Sequence, residues 1–171
     1  MIAWLTKHLE RFAHRMVVLD PLFRWYYRPL VKEETKMARF TSNDHILVIG
    51  GGSMPYSAYY LARFTKATMT IVDCDPRAVT YGRRFLNRKG IQNIQYIEGC
   101  ALGLKLENYS AIHVAKQVSP KACVVEKLLN EAPKGTKILL RQPPKNVPNW
   151  ALILRYKVSF SLVKSLCYFV V

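Results

Sequence analysis

The 171-residue sequence predicts a doubly wound, mostly parallel α/β sheet preceded by two N-terminal helices. Two observations carry that prediction. From His45 onward, short apolar runs alternate with helical stretches for about a hundred residues, the pattern of parallel strands joined by right-handed crossovers. Before His45 the apolar residues recur every three or four positions, as an amphipathic helix requires. The length suits one domain, and half of the residues are hydrophobic, enough for a real core. We divide the chain into a helical cap or lid over 1–42 and an α/β core over 43–171.

The elements follow in order. Residues 2–18 place Ile2, Leu5, Leu9, Phe12, Ala13 and Met16 at helical spacing, with Lys7, Arg11 and Arg15 on the polar side. Pro21 and Pro29 punctuate "DPLFRWYYRPL", and "VKEETKMARF" starts a second helix. "HILVIG" is a short apolar run of the kind buried parallel strands show. "SAYYLARFT" is helical, and "TMTIVD" is a second strand. In "DPRAVTYGRRFLNRKG", Asp75 caps a helix, Pro76 suits its first turn and Gly90 its end. "NIQYIEG" and "SAIHVAK" are the third and fourth strands. "SPKACVVEKLLNEAPKG" repeats the Ser-cap, Pro-first-turn pattern, "TKILLRQ" is a fifth strand, and the apolar C-terminus ends in one or two more.

The net charge of +15 is uneven: residues 111–171 carry ten basic and two acidic side chains. A basic last third and a basic N-terminal helix suit an anionic acceptor, RNA or a membrane surface; a solvated basic surface is the alternative. No apolar run reaches the roughly 18 residues of a membrane span. Lys7, His8, Glu10 and Arg11 interrupt the N-terminus where a signal peptide would be apolar, so a cytoplasmic location is expected. Cys74, Cys100, Cys123 and Cys167 form no C-x-x-C pair, so reduced, mostly buried thiols are expected and no metal site. Small size and an apolar C-terminus suit a homodimer.

The functional signal is the turn after the first strand. Gly50, Gly51 and Gly52 allow a sharp turn and close approach of a ligand, and the helix start behind them offers backbone N–H groups to an anion. Asp73 ends the second strand 21 residues beyond Gly52, where an acid can bind ribose hydroxyls. Pro55 donates no amide, so the turn does not fit a pyrophosphate-binding dinucleotide fingerprint; no G-K-[ST] follows either. The pair points to an adenosine-type ligand.

The order "VIGGG", "IVDCDP", "YIEGCA", "AIHVAK", "GTKILLRQ" resembles the class I S-adenosylmethionine-dependent methyltransferase superfamily, a Rossmann-like fold, over roughly residues 30–145. Within it, Gly50-x-Gly52 with Pro55 and Ser57, "DCDP" and the paired tyrosines of "FRWYYRPL" look closest to the nicotianamine synthase-like branch. The resemblance implies S-adenosyl-L-methionine as cofactor. It implies that Gly50 and Gly52 hold the methionine part and that Asp73 binds the ribose hydroxyls, with Gly51, Ser53, Met54 and Cys74 beside them in the cofactor site. Glu98, Cys100 and Ala101 would lie at the adenine, although Cys100 stands where the superfamily often has an acid. The resemblance spans roughly residues 30–145 and not that branch's N-terminal domain or C-terminal extension, so its acceptor pocket is not carried over.

The function expected is therefore an S-adenosylmethionine-dependent transferase, first a methyltransferase on an unidentified small-molecule or anionic acceptor. The alternatives are aminocarboxypropyl transfer to a small amine and a non-catalytic cofactor-binding or partner protein. Such transfers need alignment and sometimes a base. Tyr27, Glu33 and Lys116 are the candidates, each beside a structural alternative. Tyr26 and Tyr27 would pack a helix onto the sheet; Glu33 and Glu34 would make surface pairs with Lys36 or its neighbours; Lys116 would be a solvated charge.

Overall fold

A computed structural model describes residues 2–141 and 166–170, with the side chains of 20–141 and of Val170. Its sheet has six strands in the order β3-β2-β1-β4-β5-β6. These are β1 (His45–Ile49), β2 (Thr68–Asp73), β3 (Ile94–Glu98), β4 (Ala111–Val114), β5 (Lys137–Arg141) and β6 (Leu166–Val170). The first five are parallel and β6 pairs antiparallel to β5. The helices are α1 (Ile2–Met37), α2 (Tyr56–Thr65), α3 (Pro76–Arg88) and α4 (Lys121–Glu131). The predicted doubly wound, mostly parallel sheet is present.

Strand alternation sorts the core into two layers. Ile46, Val48, Met69, Ile71, Tyr96 and Leu139 pack under α1, α2 and α3. Leu47, Ile49, Val72, Ile112, Ile138 and Leu140 pack against Val124, Val125 and Leu128 of α4. Adjacent strand residues therefore serve opposite layers, and four strands are buried along nearly their whole length. Each fully buried Leu or Ile contributes about 1.5–3 kcal/mol of transfer free energy.

The two helices expected at the N-terminus are one. Helix α1 runs unbroken through Pro21 and Pro29 for 36 residues, about 54 Å. Each proline removes a backbone donor and costs about 3 kcal/mol in a helix interior. Packing offsets that cost, because Phe23, Tyr27, Val31, Glu34 and Ala38 fall on one face at helical spacing and are wholly or partly buried.

Other local expectations hold or fail for identifiable reasons. Asp75 caps α3, its Oδ1 accepting from Arg77 N at 2.9 Å, and Gly90 ends it with φ +67°. Ser119 does not cap α4: Pro120 occupies the cap position with no side-chain hydrogen bond. Cys74, Cys100 and Cys123 are free and exposed, not buried, because the first two follow strand ends and the third lies on the outer side of α4. Cys167 side-chain burial and the "RQPPKN" segment beyond Arg141 lie outside the described residues.

Candidate functional site

Strand order reverses between β1 and β4, and ligands of open α/β sheets bind at such a switch point beyond the strand ends. The glycine turn sits there. Gly50 N donates to Val72 O at 2.9 Å, and Ala115 N donates to Ile49 O at 3.0 Å, so the turn is tied to strands on both sides. Gly50 and Gly52 have φ of +82° and +66°, in the left-handed region that favours glycine. Gly51 is fixed by space: a Cβ there would lie 2.3 Å from Ile71 Cγ2 and 2.5 Å from Tyr96 Oη.

Asp73 closes the turn from the next strand. Its Oδ2 accepts from Gly52 N at 2.8 Å and its Oδ1 from Asp75 N at 3.1 Å. Tyr96 Oη donates to Gly52 O at 2.9 Å from beneath. Gly82 of α3 makes room for that ring, since a Cβ there would meet Tyr96 Cε1 at 2.2 Å. Burial pushes the Tyr96 phenol up, with the Asp73 and Asp75 charges adding to it, so Tyr96 remains a neutral donor. Asp73 and Glu98 are register partners at the ends of β2 and β3. Cys100 precedes the 3₁₀ turn Ala101–Gly103, and Ala101 packs on the α4-side layer. Ser53 and Met54 are half-buried, with Met54 against the other layer. The residues expected around the cofactor thus form one rim along the ends of β1, β2 and β3.

The catalytic candidates are not brought together. Tyr27 stacks on Tyr56 at 5.7 Å between ring centroids, and the Arg141 guanidinium stands 5.6 Å over its ring. Glu33 lies exposed and pairs with Lys36 at 3.2 Å. Lys116 is exposed too, its carbonyl accepting from Lys121 Nζ at 2.8 Å.

Sequence reasoning placed Glu34 in a surface pair, and the structure corrects this. Glu34 is fully buried, with its Oε2 accepting from Arg141 Nη2 at 2.6 Å and its Oε1 accepting from Arg141 Nε. Arg141 Nη1 donates to Ser57 Oγ at 2.7 Å. The Nε2 of His113 is 3.4 Å from Glu34 Oε2, and neither ring nitrogen of this buried imidazole has a well-formed hydrogen bond. Burial alone would raise the Glu34 carboxyl; the hydrogen bonds and charges of His113 and Arg141 outweigh it and hold the group down to about 2. For His113 burial prevails over the pull of Glu34, the imidazole pKa drops below its ordinary value and the ring is neutral at neutral pH. At neutral pH the charge beside Glu34 is therefore that of Arg141. The helical phase of Val31 and Ala38 carries the signal for Glu34; His113 and Arg141 carry none in isolation, because their partner is over a hundred positions away for Arg141 and on another element for both.

Three likenesses accompany this geometry. No family model matches the chain. An L-histidine 2-aminobutanoyltransferase of Yersinia pestis is 25% identical over 112 residues, covering 65% of this chain. The chain spans 42% of that protein's length. The crystal structure of the nicotianamine synthase MtNAS in complex with MTA and tNA has a TM-score of 0.77 at 18% identity, over 90% of this chain and 63% of that one. An RNA methyltransferase from Salinibacter ruber in complex with S-adenosyl-L-homocysteine has a TM-score of 0.67 at 14% identity, over 84% and 90% of the two chains. The chain has the Rossmann-like class I methyltransferase fold, in a form shared with a nicotianamine synthase.

Proposed function

We propose that this chain binds S-adenosyl-L-methionine at the turn after β1 and transfers a group from it to a small or anionic acceptor. The observation that carries the reading is the Gly50–Gly52 turn closed by Asp73 at 2.8 Å, at the switch point of a class I methyltransferase fold. Gly50 is packed against Val118, whose Cγ2 a Cβ would meet at 2.7 Å, whereas at Gly52 a Cβ would meet nothing within 4 Å, so the open backbone a cofactor could approach is at Gly52. In this reading Gly50–Met54 flank the methionine part. Asp73 takes the ribose, with a carboxylate that has about four acceptor sites and uses two. Glu98, Cys100 and Ala101 border the adenine.

The sulfonium supplies an activated carbon, and the protein supplies alignment. Methyl transfer would leave S-adenosylhomocysteine. A second reading, transfer of the aminobutanoyl group, would leave methylthioadenosine; the Yersinia pestis relative and the MtNAS likeness favour it. Glu34, held at about 2, is far from the pKa of an effective general base at neutral pH. Its part here is to position Arg141, which in turn holds Ser57 of α2 and covers Tyr27.

The test is to incubate the full chain with S-adenosylmethionine and a panel of amines and amino acids including histidine, then identify the sulfur product by mass. S-adenosylhomocysteine assigns methyl transfer and methylthioadenosine assigns aminobutanoyl transfer. Neither product, with no calorimetric binding of S-adenosylmethionine, would overturn the proposal.

A further inference from the structure

Helix α1 has two apolar faces, and the core uses one of them. Phe23, Tyr27, Val31 and Glu34 face inward. On the opposite side Leu22 is 57% exposed and Trp25 76%. Of the seven large apolar side chains exposed among the described residues, four are Leu22, Trp25 and Tyr26 of α1 and Phe64 of α2. Exposed apolar groups concentrated on one face mark an interaction surface.

This face is also cationic. Between α1 and the second half of α2 lies a groove of about 590 Å³ lined by Arg24, Trp25, Arg28, Tyr60, Arg63 and Phe64. Arg24 is 3.8 Å from Asp20, and Arg63 Nη1 donates to Tyr59 Oη at 2.9 Å. Asp20 itself is bound by Lys89 at 2.9 Å, so the acid does not cancel the patch. Phe64 follows Tyr56 by eight helical residues, so the groove is displaced about 12 Å along α2 from the glycine turn. In the sequence, Trp4, Lys7, Arg11, Arg15 and Val18 precede Leu22 and Trp25 at intervals of three and four.

We propose that the α1–α2 face docks on an anionic phospholipid bilayer, with lipid phosphates taken by Arg24, Arg28 and Arg63 and with Leu22, Trp25 and Phe64 entering the headgroup boundary. Guanidinium groups suit phosphate, and tryptophan and tyrosine favour the membrane–water interface. Leu22 adds an aliphatic side chain, which gains by entering lipid and gains nothing from a base. No described helix is long and apolar enough to cross a membrane, so the contact is a surface one. It is independent of the transfer chemistry proposed above.

The test is co-sedimentation of the full chain with phosphatidylcholine vesicles, with and without phosphatidylserine. Binding is expected only with phosphatidylserine, and should fall steeply with salt. Each basic residue near an anionic surface contributes about fivefold in partitioning, so R28Q/R63Q should bind about twenty-five-fold more weakly while its circular dichroism is unchanged. A variant with Trp4 and Trp150 replaced by phenylalanine leaves Trp25 as the reporter; its emission should shift to the blue with phosphatidylserine vesicles. Equal binding by R28Q/R63Q, an unshifted Trp25 spectrum, or capture of an RNA oligomer in place of vesicles would each overturn the proposal.

Discussion

Asp73 shows how one side chain can shape a turn and be placed to serve the proposed site. Both of its oxygens already accept backbone N–H groups, from Gly52 and Asp75, so the carboxylate sets the turn before any ligand arrives. Asp73→Asn keeps one acceptor oxygen and the shape but loses the charge. We expect S-adenosylmethionine affinity to fall about ten- to hundredfold by calorimetry, the scale of about 1.5–3 kcal/mol for a hydrogen bond to a charged group. Unchanged affinity would remove Asp73 from the site. Gly51 makes a second, steric prediction. Gly51→Ala drives a methyl into Ile71 and Tyr96, and overpacking of this kind costs about 1–3 kcal/mol in urea unfolding. Tyr96→Phe should cost less, since it leaves the ring and removes only the bond to Gly52 O. At this scale the glycines and Asp73 were legible because their spacing follows from local backbone needs. Glu33 and Glu34 were not separated, although a helix turns 100° between neighbours; one carboxylate faces solvent and the next faces the sheet.

Four elements meet at the Glu34 cluster: α1 brings the carboxylate, β4 His113, β5 Arg141 and α2 Ser57. This joins the long helix to the sheet, and it titrates. The folded carboxyl near 2 lies below its ordinary 4.5, so its stabilisation is complete above pH 4.5 and lost as pH falls toward 2. His113 is also depressed, from 6.5, so its contribution is present above pH 6.5 and lost as pH falls below it through the folded value. The melting temperature should therefore begin to drop below pH 6.5, and drop further below 4.5. His113→Leu should remove the first decline; a profile identical to the parent's between pH 6.5 and 5 would refute the assignment. Glu34→Ala leaves Arg141 unpaired, which costs about 3–5 kcal/mol for a buried ion pair. The strands were readable because strands covered on both faces appear as continuous apolar runs. The unity of α1 was not, because Pro21 and Pro29 are local breakers and the contacts that override them come from α2 and the sheet.

Across the whole molecule, strand–helix alternation identified the architecture, since each crossover must return to a parallel neighbour. Which group the proposed transfer would move stays hidden at that level. It would depend on which carbon beside the sulfonium faced the acceptor, a matter of ångströms set jointly by residues on separate elements. The proposed cofactor should leave a global trace that can be measured without knowing the acceptor. Its proposed contacts join the turn after β1 to the ends of β2 and β3, so a bound cofactor must be lost when the chain unfolds. A ligand at a hundred times its Kd stabilises by about 2.7 kcal/mol. For a chain of 171 residues, each kcal/mol moves the midpoint by about 2–4 °C, so saturating S-adenosylmethionine should raise Tm by about 5–10 °C. NAD should leave Tm unchanged, because Pro55 withholds a backbone donor that a pyrophosphate would need. At the same ligand concentration Asp73→Asn should keep about half of the shift or less. A full shift in that variant would mean the cofactor binds elsewhere, and an equal response to NAD would return the turn to a general nucleotide site.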